Sequence, residues 1–101
     1  MLEAAEEAVA FVQHRRRDDL DADRMLNLAL VKLIENIGEA AARIPLATQQ
    51  LHAHIPWQDI IGMRHRLVHG YDEIDLDVVW EVLQDDLPAL IKALKMISYP
   101  S

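Results

Sequence analysis

From about Ala22 to Arg43 the chain repeats apolar residues at helical spacing: Leu26, Leu30, Leu33, Ile34, Ile37, Ala41 and then Ile44 form one wide stripe. Lys32, Glu35, Asn36, Glu39 and Arg43 fall at i, i+3, i+4, i+7 and i+11 on the other side. A helix with so broad an apolar face has to be covered along its length by other elements, so this segment is expected to be the central helix of the fold. The flanking sequence supplies helices to cover it. Leu2, Ala5, Val9 and Val12 share a face, which predicts a first helix from Leu2 to about Arg15, with Arg15 to Arg17 well placed at its C-terminal end. Asp18, Asp19, Asp21 and Asp23 then form a polar connection that ends in helix-start chemistry. Pro45 stops the central helix, and Leu46 to Ile55 reads as a loop with one short turn over Thr48 to Leu51. Pro56 opens a further helix that runs to about His69, with Gly70 as its stop. Asp75 can cap a last helix through Trp80, Leu83, Leu87, Leu90, Ile91 and Leu94 to about Ile97, kinked or split near Pro88. The chain is 51% hydrophobic but only 5% aromatic, its apolar mass being Ala, Leu, Ile and Val, which favours helices over sheet. The expectation is an all-α fold, an up-and-down bundle of four main helices in a single domain spanning 1–101.

Several function classes are disfavoured. Without cysteine there is no disulfide or thiolate chemistry, and a zinc site would have to be built from His and carboxylates. The formal net charge of -7 argues against indiscriminate nucleic-acid binding, so a polyanion would have to meet a small local basic site. Positive charge gathers at His14-Arg15-Arg16-Arg17, which reads as a solvated run, and at Arg64 with Arg66. Between Tyr71 and Asp86 the charges are all acidic, a solubilising face or a dock for a basic partner protein. The acidic start lacks the features of a secretory signal, and no apolar run reaches the roughly 18 residues of a membrane span. A cytoplasmic protein with no membrane partner is expected.

The chemistry concentrates in Arg64-His65-Arg66-Leu67-Val68-His69-Gly70-Tyr71. On one continuous helix bearing Trp57, Ile60, Ile61, Leu67 and Val68, Arg64 would lie roughly 20° from Trp57, near the centre of the buried face. Leu would serve stability better there, since an unpaired buried charge is costly. Arg64 can offer paired donors to phosphate, and His69 can exchange a proton near neutrality. Tyr71 can donate a hydrogen bond or be modified on its hydroxyl. Such a set needs no metal or other cofactor to cleave RNA through its 2′-hydroxyl. On a regular helix, however, Arg64 and His69 point about 140° apart. Either the helix end bends at Gly70, or Arg64 reaches across, or two copies meet and share one cleft. Alternatively Arg64 pairs with a carboxylate such as Glu35 or Glu39, and His69 merely ends a helix. His65 and His69 have the i, i+4 spacing of metal-binding helices, but Arg66 stands where a general-base Glu would be, and no metal is expected. His52 and His54 lie in a loop without a carboxylate.

At these residues the chain resembles the HEPN superfamily, specifically the HepT-like toxins of toxin-antitoxin pairs, whose Arg, four residues, His, one residue, Tyr pattern is present in full. The surroundings are similar too: Ile37-Gly38-Glu39-Ala40-Ala41, Pro56-Trp57 with Asp59-Ile60-Ile61-Gly62-Met63, and Asp85-Asp86-Leu87-Pro88, over about Arg24 to Leu94. The resemblance implies a HEPN-like helical homodimer with the active site at the subunit interface, acting as a metal-independent endoribonuclease. In that scheme Arg64 stabilises the scissile phosphate, His69 serves as acid or base, and His65 and Arg66 are auxiliary RNA-binding residues. The implied partner is a nucleotidyltransferase antitoxin that neutralises the toxin by AMPylation of Tyr71. Two departures are visible: His65 stands where the family often has Asn, and the first helix is short and weakly matched. The competing expectation is a non-catalytic partner or substrate-binding subunit of a nucleotidyltransferase.

Overall fold

The computed structural model describes residues 1–69 and 73–98, apart from the side chains of His69 and Ser98. Its axis is α3, Arg24–Ala42, an unbroken helix of 19 residues. Asp23 caps it by accepting from the Leu26 N–H at 3.0 Å. Leu30, Ile34, Ile37 and Ala41 are fully buried, as the stripe requires, and the chain turns away at Pro45. α1, Leu2–Phe11, buries Ala5 and Ala8 and packs against both α3 and α8, Leu87–Ser98. The thinnest dimension is 17 Å, which suits two layers of helices roughly 8–10 Å apart. α3 is therefore covered along its apolar side and keeps its polar side open. The all-α expectation holds.

Four local features differ from the sequence reading. α1 stops at Phe11 rather than near Arg15, and His14 adopts a positive φ of 66° in the turn that follows. The acidic connection contains a short helix, α2, Asp19–Ala22, whose Leu20 is fully buried and anchors it. The basic run beside it is engaged: Arg17 reaches Asp77 at 2.7 Å and Asp21 at 2.9 Å, and Arg15 lies 3.7 Å from Asp23. Slight burial opposes the charge on Arg17, but the two carboxylates outweigh it and raise its pKa. The loop after Pro45 holds a full helix, α4, Leu46–Leu51. Gln49 turns inward from it, donating to the Ala41 and Ile44 carbonyls at the end of the central helix. Trp57 returns the contact through its indole N–H, 3.1 Å from the Gln49 carbonyl oxygen.

The last helical run is split near Pro88, as expected. α7, Leu76–Glu81, begins at Asp75, whose side chain accepts from the Asp77 and Val78 N–H groups. Val82–Asp86 then forms a π turn, closed by the Leu87 N–H bonding back to the Val82 carbonyl, and α8 follows. In a regular α-helix the Pro88 ring would press on the Gln84 carbonyl; the wider turn relieves that contact.

Candidate functional site

The segment carrying Arg64 is built from pieces. α5, Trp57–Ile61, begins at Pro56 and ends at Gly62, and α6, Met63–Leu67, begins beyond it. The expected single helix to His69 is therefore interrupted at Gly62, whose φ of -87° and ψ of 0° leave the regular helical range. α3 helps set the break. A Cβ on Gly38 would stand 3.3 Å from both the Ile60 and Ile61 carbonyl oxygens, a tight contact, so glycine here lets the end of α5 settle closely on the central helix without displacement.

The break changes which residues face the core. Trp57 and Ile60 are buried before it, and Met63 and Leu67 after it. Arg64 does not occupy the buried stripe; its side chain is 60% exposed, with Nε 3.0 Å from Oε1 of Glu35 on α3. This corrects the burial expected from a continuous helix, while the pairing with Glu35 is one of the partnerships the sequence left open. Held at the surface, the pair adds less than about 1 kcal/mol to stability, so its main effect is to direct the guanidinium.

Arg66 points elsewhere, as two residues on one helix should. Its Nη1 donates to Asp86 Oδ2 at 2.6 Å, tying α6 to the π turn. His65 is exposed between them. The chain then leaves helix altogether: β1, Val68–His69, pairs antiparallel with β2, Glu73–Ile74, in the register Val68 to Ile74 and His69 to Glu73. The Asp75 N–H closes the ribbon onto the Leu67 carbonyl. His69 is thus on a strand, not at a helix end, and the 140° separation from Arg64 drawn for one helix does not apply. The His69 imidazole and Tyr71 lie outside the described residues. Among the described residues, no three His or acidic side chains converge as a metal-binding group.

A feature the sequence reading missed is a groove of about 320 Å³ between α5–α6 and the π turn with α8, lined in part by Ile60, Met63, Leu90, Asp59 and Asp85. The proline inside a helical pattern signals the break whose π turn, through Asp85 and Asp86, forms part of its wall.

An α-helical bundle that carries Arg64 and Arg66 on a broken helix, with His69 in the short ribbon that follows, has the framework of a HEPN-type ribonuclease. The chain belongs to the HepT-like ribonuclease family, whose model, described as "Ribonuclease HepT-like", matches residues 1–97. It is 33% identical over 93 residues to "Probable ribonuclease HepT" of Thermococcus cleftensis, covering 88% of this chain and 84% of that one. It is 35% identical over 80 residues to "Putative RNase TTE0752" of Caldanaerobacter subterraneus subsp. tengcongensis, covering 79% of this chain and 71% of the relative. No solved structure matches at a significant level.

Proposed function

We propose that this chain is a metal-independent endoribonuclease, the toxin of a toxin-antitoxin pair, acting as a homodimer. The observation that carries the reading is Arg64: exposed on α6, engaged at Nε by Glu35, and five residues before His69 in a chain of the HepT-like ribonuclease family. A guanidinium has five N–H donors, so a partner at Nε leaves donors for the non-bridging oxygens of a phosphate. His69 of one subunit takes the proton from a ribose 2′-hydroxyl, and that oxygen attacks the adjacent phosphorus. The bond to the 5′-oxygen breaks, and the leaving oxygen takes a proton from His69 of the other subunit. The products are a 2′,3′-cyclic phosphate and a 5′-hydroxyl end. Arg64 stabilises the charge that builds on phosphorus oxygens in the transition state. His65 contacts the RNA backbone, and Arg66, engaged by Asp86 through Nη1, keeps its other donors for the same role. Tyr71 is the control point: its hydroxyl attacks the α-phosphate of ATP on the antitoxin and releases pyrophosphate. The attached AMP then repels RNA.

The test uses purified protein and end-labelled RNA in excess EDTA. Arg64→Ala and His69→Ala are each expected to lower cleavage by about 100-fold or more and to relieve growth inhibition. Arg64→Ala should shift unfolding stability by less than about 1 kcal/mol. Undiminished cleavage in both variants, or activity abolished by EDTA in the parent protein, rejects the proposal.

A further inference from the structure

An open groove lies behind the motif segment. One wall is α5 and α6, through Asp59, Ile60 and Met63; the other is the π turn and α8, through Asp85, Ala89, Leu90 and Ala93. Ala89 and Ala93, four apart on α8, are too short to fill the space, and Leu90 and Met63 form a buried apolar floor. The charges at the rim are unequal. Arg66 is neutralised by Asp86 at 2.6 Å, whereas Asp59 and Asp85 face the same groove from opposite walls and have no ion pair among the described residues. His54 is the remaining titratable group at the edge. Apolar floor, short side chains and two unpaired carboxylates call for a ligand that is apolar at its centre and cationic at its ends.

We propose that this groove docks a short basic segment of a partner protein, seating one or two aliphatic side chains on Leu90 and Met63 with Lys or Arg residues against Asp59 and Asp85. RNA is disfavoured there by the same carboxylates. The π turn supplies part of the recognition surface, since it sets Asp85 and Asp86 beside the groove, and π turns recur at functional positions. One wall is also the approach to the nuclease motif, while Arg64 lies on the α3 side with Glu35. A segment bound here therefore contacts the helix carrying Arg64 without covering that arginine. The proposal stands independently of the nuclease reading.

The probe is a fluorescein-labelled amphipathic peptide of about ten residues in which pairs of Leu alternate with Lys, titrated against the full chain by fluorescence anisotropy. Binding that weakens as salt rises is expected. The double variant Asp59→Asn with Asp85→Asn should weaken it at least about tenfold, with RNA cleavage retained, so that failure here is distinguishable from failure of the nuclease assignment. Ala93→Trp, which fills the groove, should weaken it comparably; the Asn double variant, altering only exposed side chains, keeps the test decisive if the Trp variant misfolds. Replacement of every Lys in the probe by Glu should abolish binding. Equal affinity of the parent chain and the Asn double variant overturns the proposal. So does oligolysine binding as tightly as the amphipathic probe, full displacement of the probe by spermidine, or dissociation of a homodimer by Ala93→Trp in sedimentation.

Discussion

α3 and the stretch from Trp57 to Ile74 are nearly equal in length and touch one another, yet they are organised by different forces. α3 is one uninterrupted helix whose apolar stripe supplies much of the core. The other stretch contains two five-residue helices and a two-stranded ribbon, and among its described residues Trp57, Ile60, Met63 and Leu67 are buried. Helices of that length are not stable alone in water, so their geometry comes from what they lean on: Gly38 of α3, Gln49 of α4 and the ribbon. The lesson is a division of labour. Continuous burial makes the scaffold, while interruptions present charged side chains that an unbroken amphipathic helix would have hidden or misdirected.

Three substitutions probe this contrast, from the greatest effect to the least. Leu30→Ala removes a fully buried side chain from the middle of α3 and should cost about 2–5 kcal/mol, a large part of a small domain's stability. Urea denaturation measures it, and a loss below about 1 kcal/mol would mean that α3 is not the organising core. Gly38→Ala places a methyl group 3.3 Å from two carbonyl oxygens of α5 and should cost about 1–3 kcal/mol by overpacking. It should also lower RNA cleavage more than its stability loss explains, because it displaces the segment carrying Arg64; stability lost with cleavage intact would break the link between the two regions. Asp75→Ala removes the two hydrogen bonds that start α7 and should cost about 1 kcal/mol. Hydrogen exchange should show the loss at Val78 and in the adjoining ribbon, with α3 protection falling no further than the global change. Uniform loss would mean that the two regions unfold as one.

The scaffold was legible because periodicity reports burial directly. The stripe from Leu26 to Ala41 marks α3 to within two residues at each end, Asp75 announces the start of α7, and Pro88 announces the split in the last helix. The motif segment was less legible for a specific reason. The spacing of Trp57, Ile60, Ile61, Leu67 and Val68 fits one helix, and a change of phase at a single residue, Gly62, leaves no trace in such a pattern while moving Arg64 from core to surface. The ribbon was missed because each strand has only two residues, too few for alternation to register. Arg64 with Glu35 could be named among alternatives because α3 offered few carboxylates on its polar side. Arg66 with Asp86 could not, since the residues are twenty apart and meet only through the π turn. Arg15 to Arg17 suit a helix end and so extend the first helix too far, yet Arg17 pairs instead with Asp77 and Asp21, and Arg15 with Asp23.

The π turn from Val82 to Asp86 also acts as a rotary joint. An extra residue in one turn rotates everything beyond it by about 100° relative to an unbroken α-helix. α7 thereby offers its apolar side to α6 and α3, while α8 offers a differently phased side to α1. Neighbours on different bearings are served by one continuous rod, with no loop between its halves.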